Sequence, residues 1–140
     1  STTLKTFALN LGSSYKGGKV ACVGGAPYLN LLAATVDNST GIVWGGTGIA
    51  TEAAYSDDNG ATNTVEIIFS VGPSTNYAAR VCKDYRGGNY DDWFLPAKNQ
   101  LNCLYTNRAI IGGFSNTSFY WSSTDINNFN AWAQSFSSGN

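Results

Sequence analysis

The chain has 140 residues, 43% apolar and 14% aromatic, which is enough to build a core and excludes the disordered class. Charged residues make up only 12%, and 8 basic against 9 acidic side chains give a net charge of −1, so no general attraction to nucleic acid is expected. There is no histidine, which removes the commonest general base and the most frequent catalytic zinc ligand, and no apolar run approaches the 18 or more residues of a membrane span.

A single domain over residues 1–140 is expected, with a surface of Asn, Ser, Thr and Gly of the kind common in secreted bacterial proteins. No charged-then-apolar signal segment opens it, and Ser1-Thr2-Thr3 fits either a removed signal or an upstream linker. Thr6 to Leu11, Lys19 to Val23, Leu29 to Val36 and Ile42 to Trp44 read as β-type runs divided by glycine-rich turns. From Ile49 to Asn63 the pattern weakens, Ser56-Asp57-Asp58-Asn59-Gly60 reads as an exposed turn, and Glu66 to Val71 is ambiguous between strand and helix.

A helix is predicted after Pro73, with Ser74 as N-cap and Tyr77, Ala78, Val81, Cys82 and Tyr85 on one face, ending near Gly87-Gly88. Trp93, Phe94 and Leu95 form an apolar plug ahead of a second helix from about Ala97 to Asn107, which presents Leu101, Leu104 and Tyr105 at helical spacing. Tyr120 to Thr124 is an aromatic, hydroxyl-rich strand, and Trp132, Gln134 and Phe136 share one face of a period-2 strand. These last elements are expected to share one aromatic core. Two mid-chain helices among many strands make an α+β fold, not an alternating α/β one.

Three cysteines leave two arrangements open. Either Cys82 and Cys103 bridge two packed helices and Cys22 is a buried thiol, or all three are small buried apolar residues. Asp57-Asp58 and Asp91-Asp92 are adjacent pairs whose members point apart, so neither makes an acid–base set. Asp57-Asp58-Asn59-Gly60 and Asp125-Ile126-Asn127-Asn128 offer oxygen ligands for calcium, but Ile68 stands where an EF-hand loop begun at Asp57 needs Glu. No catalytic residue, metal ligand or cofactor is assigned.

The most specific signal is a string of motifs: Tyr77-Ala78-Ala79-Arg80-Val81-Cys82, Gly87-Gly88-Asn89-Tyr90, Asp92-Trp93, Leu95-Pro96, Gly112-Gly113-Phe114, Tyr120-Trp121-Ser122-Ser123 and Ala131-Trp132. Tyr15-Lys16-Gly17-Gly18-Lys19-Val20, Leu32-Ala33-Ala34 and Asn38-Ser39-Thr40-Gly41-Ile42-Val43-Trp44-Gly45 extend it through the first half. The pattern resembles a widespread bacterial domain family of the kind found at the C-terminus of the Legionella collagen-like adhesin. The resemblance implies an irregular antiparallel sheet flanked by two helices, C-type-lectin-like or formylglycine-enzyme-like. It also implies an extracellular homotrimer, since collagen-like stalks need three chains, and a sulfated glycosaminoglycan such as heparin or chondroitin sulfate as ligand. Two departures stand out. Ala97 and Gln100 replace the hydroxyl and Glu of a capping box, and the chain reaches Asn140 without the arginine-bearing last strand usual in similar domains.

For such a ligand the candidate residues are Arg80, Lys83 and Arg86 on and after the first helix, with Lys98 and Arg108 bracketing the second. They form one basic strip if the two helices lie side by side. In the plainer reading Lys83 and Arg86 complement a helix C-terminal dipole and the others are solvated. Lys5, Lys16 and Lys19 form a second basic group that the pattern does not place. An alternative is recognition of an uncharged glycan or protein by exposed Tyr15, Tyr28, Tyr55, Tyr90 or Phe129. A third is a trimerisation role that registers a collagen-like stalk.

Overall fold

The computed structural model describes residues 10–24, 30–45, 54–73, 76–127 and 130–140. The fold is α+β. Strands β1 (Ser14–Tyr15), β2 (Gly18–Cys22) and β3 (Leu31–Ala33) form one antiparallel sheet in that order. Helices α1 (Gly60–Val71), α2 (Ala78–Asp84), α3 (Lys98–Thr106) and α4 (Arg108–Ile111) follow, with a 3-10 turn at Gly87–Asn89 after α2. Strands β4 (Phe119–Asn127) and β5 (Asn130–Ser135) make a second, two-stranded antiparallel sheet.

The first hairpin turns at Lys16 and Gly17, whose φ angles of 47° and 84° are the left-handed pair of a tight two-residue turn. Tyr15 therefore faces Gly18, and Ser14 faces Lys19. Of the predicted strands, Lys19 to Val23 becomes β2, and Leu29 to Val36 contracts to the three residues of β3. The run from Thr6 lies largely outside the described residues. Ile42 to Trp44 joins neither sheet and instead ties β4 to α2. The Val43 carbonyl accepts from Ala78 N–H at 2.9 Å, and the Ile42 carbonyl accepts from the Trp121 indole at 2.9 Å.

The helix count exceeds the predicted two, and α1 is the main correction. Asn59, at the end of the exposed turn, caps it, its side chain accepting from Thr62 N–H at 3.0 Å. The buried face of α1 consists of Gly60, Asn63, Thr64 and Ile67, whereas Val65 and Phe69 are exposed. An inverted amphipathic pattern of this kind hides a helix from periodicity. It is stable because its buried polar groups are bonded. The Asn63 amide donates to Ser56 O at 2.7 Å, and the Thr64 hydroxyl accepts from Leu95 N–H at 3.1 Å.

The cysteine pairing is a second correction. Cys22 on β2 is bridged to Cys103 on α3, with Cα atoms 6.3 Å apart, and Cys82 is free. The reason is packing: α3 lies against β2, and α2 lies against α1.

Among the described residues two apolar cores result. Ile67, Tyr77, Ala79 and Leu95 centre the first, between α1 and α2, and Ala21, Cys22, Ala33 and Ile111 centre the second, between the first sheet and α3–α4. Each large side chain so buried contributes about 1.5–3 kcal/mol. The predicted aromatic core is realised by Tyr105, Phe114, Tyr120 and Phe136, with ring centroids 4.4 to 5.6 Å apart. Two tryptophans expected there lie elsewhere, because Trp93 packs edge-on against Tyr85 and Trp132 is 40% exposed. The single-face reading of β5 still holds. Lys98 lies over Trp132, Gln134 donates to Asn102 at 2.8 Å and Phe136 meets Tyr105, so one strand face tracks one ridge of α3.

Candidate functional site

Between the two cores lies a cleft of about 790 Å³, within the range of small-ligand sites. The predicted apolar face of α2, with Ala78, Val81, Cys82 and Tyr85, lines it together with Leu101 and Leu104 of α3. These two faces were expected to serve helix packing, and both border the same cavity. Leu31 to Ala34, Trp93, Phe94, Tyr120 and Trp121 complete much of the apolar lining, and Lys16, Asp37, Tyr90 and Asp92 are among its polar members.

The indole N–H groups of the cleft are turned to the backbone, Trp93 donating to Gly87 O at 3.0 Å and Trp121 to Ile42 O at 2.9 Å. Their bonds are thus satisfied internally, and the rings present apolar, π-rich surface. The Tyr120 hydroxyl donates to the carboxylate of Asp37, 2.9 Å from each oxygen, and accepts from Ser115 N–H at 2.8 Å. Burial raises the Tyr120 phenol above its ordinary value; the Ser115 N–H opposes this and the Asp37 carboxylate adds to the rise. Burial also pushes the Cys82 thiol up to about 12, which makes it an inert member of the cleft wall.

The five predicted basic residues occupy separate settings. Arg80 pairs with Asp84 at 3.1 Å, the sole ion pair among the described residues. Lys83 reaches Asp91 O at 3.5 Å, and one guanidinium nitrogen of Arg86 donates to Lys83 O at 2.7 Å and Tyr85 O at 3.0 Å. Arg86 thus serves the last carbonyls of α2, as a cation near a helix C-terminus does. Lys98 stands 3.9 Å from the Trp132 ring centroid. Arg108 lies 3.9 Å from the Tyr105 centroid and donates to Tyr105 O at 2.8 Å. Ten residues of helical rise separate Lys98 from Arg108 by roughly 15 Å. The structure therefore groups Lys83 and Arg86, but not all five as members of adjoining helices.

It adds one cation that the pattern did not place. A Cβ on Gly17 would stand 2.6 Å from Gly88 Cα, and one on Gly88 would stand 2.7 Å from Gly17 Cα, so the tip of the first hairpin rests directly on the turn after α2. Lys16 is thereby brought to the end of α2 that carries Lys83 and Arg86. The available signal was the pair of motifs Lys16-Gly17-Gly18 and Arg86-Gly87-Gly88, since glycine on both sides is what permits backbones to meet. No protein-family model, curated protein or solved structure matches the chain.

Among the aromatics considered for stacking, Tyr15, Tyr55 and Tyr90 are exposed; Tyr28 and Phe129 lie outside the described residues. The turn at Asp57-Asp58 is used structurally, and Asn128 of the other oxygen-rich run lies outside the described residues. Asp57 O accepts from Asn99 N–H at 2.8 Å and the Asp58 carboxylate from the Asn99 amide at 2.7 Å, both securing the start of α3. Among the described residues no cluster of three His, Cys, Asp or Glu side chains is placed to hold a metal, and no helix is long and apolar enough to cross a membrane.

Proposed function

We propose that the chain is an extracellular, non-enzymatic adhesin domain that binds sulfated glycosaminoglycans as a homotrimer, within a C-type-lectin-like or formylglycine-enzyme-like architecture. The observation that carries this reading is the Gly17–Gly88 contact, which sets Lys16 against the end of α2 bearing Lys83 and Arg86. Both Lys83 and Arg86 keep donors for an outside anion: Lys83 has three N–H groups and Arg86 five, of which the bonds described above engage only part. The Cys22–Cys103 bridge supports an oxidising, extracellular setting. Asp91 and Asp92 follow on the same loop and limit the local positive charge, so a single site is weak. Three copies on one trimer raise the effective concentration for a long sulfated chain.

The revised ligand set is Lys16, Lys83 and Arg86. Arg80, neutralised by Asp84, and Lys98 and Arg108, each 3.9 Å from a ring centroid where Lys16 stands 5.4 Å from that of Tyr15, contribute less. The test is binding to immobilised heparin across a salt series, with molar mass measured in parallel. Trimer mass and affinity that falls steeply with salt are expected, as for counterion release from any polyanion, with Lys16→Ala, Lys83→Ala and Arg86→Ala each weakening binding several-fold. An intact trimer that fails to bind heparin at low salt overturns the proposal and leaves a stalk-registering role. Recognition of an uncharged glycan or protein is a second reading, favoured by the exposed rings of Tyr15, Tyr55 and Tyr90. Salt-independent binding selects it.

A further inference from the structure

We infer that the cleft between α2 and α3 is a second binding site, for a small organic cation: an ammonium group carried on an apolar, ring-sized body. The proposal does not rest on glycosaminoglycan binding: of the cations assigned to that ligand, Lys16 also lines the cleft, whereas Lys83 and Arg86 do not.

The volume and lining suit an apolar body. At about 790 Å³ the cleft exceeds any packing defect and falls in the range of small-molecule sites. Its walls are Val81 and Cys82 on one side and Leu101 and Leu104 on the other, with Trp93 and Trp121 among the rings. Those two indoles have given their N–H groups to backbone carbonyls, so they have no remaining donor for an anion or an acceptor-rich ligand. What an indole retains is the negative face of its π system, which attracts cations.

The charge in the cleft points the same way. Among its described lining residues are two carboxylates, Asp37 and Asp92, and one cation, Lys16. Asp37 has no ion-pair partner among the described residues, and one phenol, that of Tyr120, serves both its oxygens. A carboxylate has about four lone-pair sites, so most of its acceptor capacity remains open. Tyr120 is itself fixed by Ser115 N–H and by packing at 4.4 Å against Phe136, which holds the carboxylate in a set orientation. An oriented carboxylate without an ion-pair partner among the described residues, in an apolar, aromatic-rich cleft, discriminates by charge: it favours an ammonium over a neutral isostere and opposes an anion.

The experiment is a titration of the isotope-labelled 140-residue chain with 2-phenylethylammonium, 2-phenylethanol and phenylacetate, followed by amide and indole resonances. The four tryptophans supply an internal control, because Trp93 and Trp121 line the cleft, whereas Trp44 and Trp132 are not among its lining residues. The ammonium is expected to shift the Trp93 and Trp121 indole signals saturably, to leave Trp44 and Trp132 in place, and to bind at least tenfold tighter than the alcohol, with phenylacetate weakest. Asp37→Asn keeps an acceptor for Tyr120 and is expected to erase the preference for ammonium over alcohol; Val81→Phe, which narrows the cleft, is expected to weaken both.

Absence of shifts at Trp93 and Trp121, equal binding of ammonium and phenylacetate, or an unchanged preference in a folded Asp37→Asn chain each overturns the proposal. If that variant does not fold, the three-ligand comparison on the unaltered chain decides. Heparin retention of Asp37→Asn is expected to be unchanged, so failure here and failure of the glycosaminoglycan reading are distinguishable.

Discussion

Gln100 and Gly60 stand 40 residues apart and share a buried hydrogen bond, the Gln100 side-chain oxygen accepting from Gly60 N–H at 2.9 Å. The same oxygen accepts from Ala97 N–H at 3.0 Å, so one amide serves the starts of both α1 and α3. This explains how Ala97 is tolerated where a capping hydroxyl is usual. The glutamine half of the capping box is present. The work of the missing half is done by tertiary partners: Thr124 accepts from Lys98 N–H at 2.9 Å and Asp57 O from Asn99 N–H at 2.8 Å. Gln100→Leu strands two buried donors at about 1–3 kcal/mol each, so a loss of about 2–6 kcal/mol is expected in urea unfolding. Gln100→Glu, which keeps the acceptor, is expected to lose less.

Gly88 is the position where the hairpin tip has no room to retreat. Its φ is 69°, and an added Cβ would meet Gly17 Cα at 2.7 Å, backbone against backbone. Gly88→Ala is expected to destabilise by about 1–3 kcal/mol. It also displaces Lys16 from the end of α2, so heparin affinity measured on the folded fraction is expected to fall with it. Gly41→Ala, whose Cβ would enter open space, is the matching control.

The Cys22–Cys103 bridge spans 81 residues of sequence. Closing a loop of that size restricts the unfolded chain by an amount worth roughly 4 kcal/mol in the chain-entropy description. Reduction, or paired replacement of both cysteines by Ala, is expected to lower the urea midpoint accordingly. Cys82→Ala leaves the bridge intact and is expected to change stability far less at neutral pH.

Alkaline pH gives a different test of Cys82. Its thiol is pushed by burial from 9.0 to about 12, so above pH 9 the unfolded chain releases a proton that the folded chain keeps. Stability from this group is whole below pH 9 and declines as pH rises toward 12, by up to about 1.4 kcal/mol per unit. The phenols of Tyr77 and Tyr120, also raised chiefly by burial, act in the same direction from about pH 10 upward. Urea midpoints of the parent chain are expected to fall between pH 9 and 10, while those of Cys82→Ala hold nearly level until tyrosine ionisation begins.

The sequence was legible where one residue type settles a local conformation. Asp57-Asp58-Asn59 marks an exposed turn, Pro96 precedes a helix, and alternation in Trp132, Gln134 and Phe136 marks a strand face, and each is found so. It was illegible where tertiary bonding replaces burial of apolar surface. Asn63 and Thr64 line the inner face of α1 because Ser56 and Leu95 offer them partners, which no helical periodicity encodes. The apolar faces of α2 and α3 were correctly seen as inward-facing, but the pattern cannot tell a face that meets another helix from one that borders a cleft. The basic residues illustrate the same limit. Spacing relates Arg80, Lys83 and Arg86 along one element, whereas the approach of Lys16 depends on a backbone contact between Gly17 and Gly88, remote in sequence.

The bridge between Cys22 and Cys103 also sets the covalent topology. It closes a ring that contains β3, α1 and α2, and most of α3, while the β4–β5 hairpin hangs outside it. A protease that cuts once within the ring leaves every fragment attached, and the nicked chain migrates as one species until a reductant is added. A cut after Cys103 releases the distal piece at once. Comparing digests with and without reductant therefore reads out which side of the ring yields first, without any need to label the molecule.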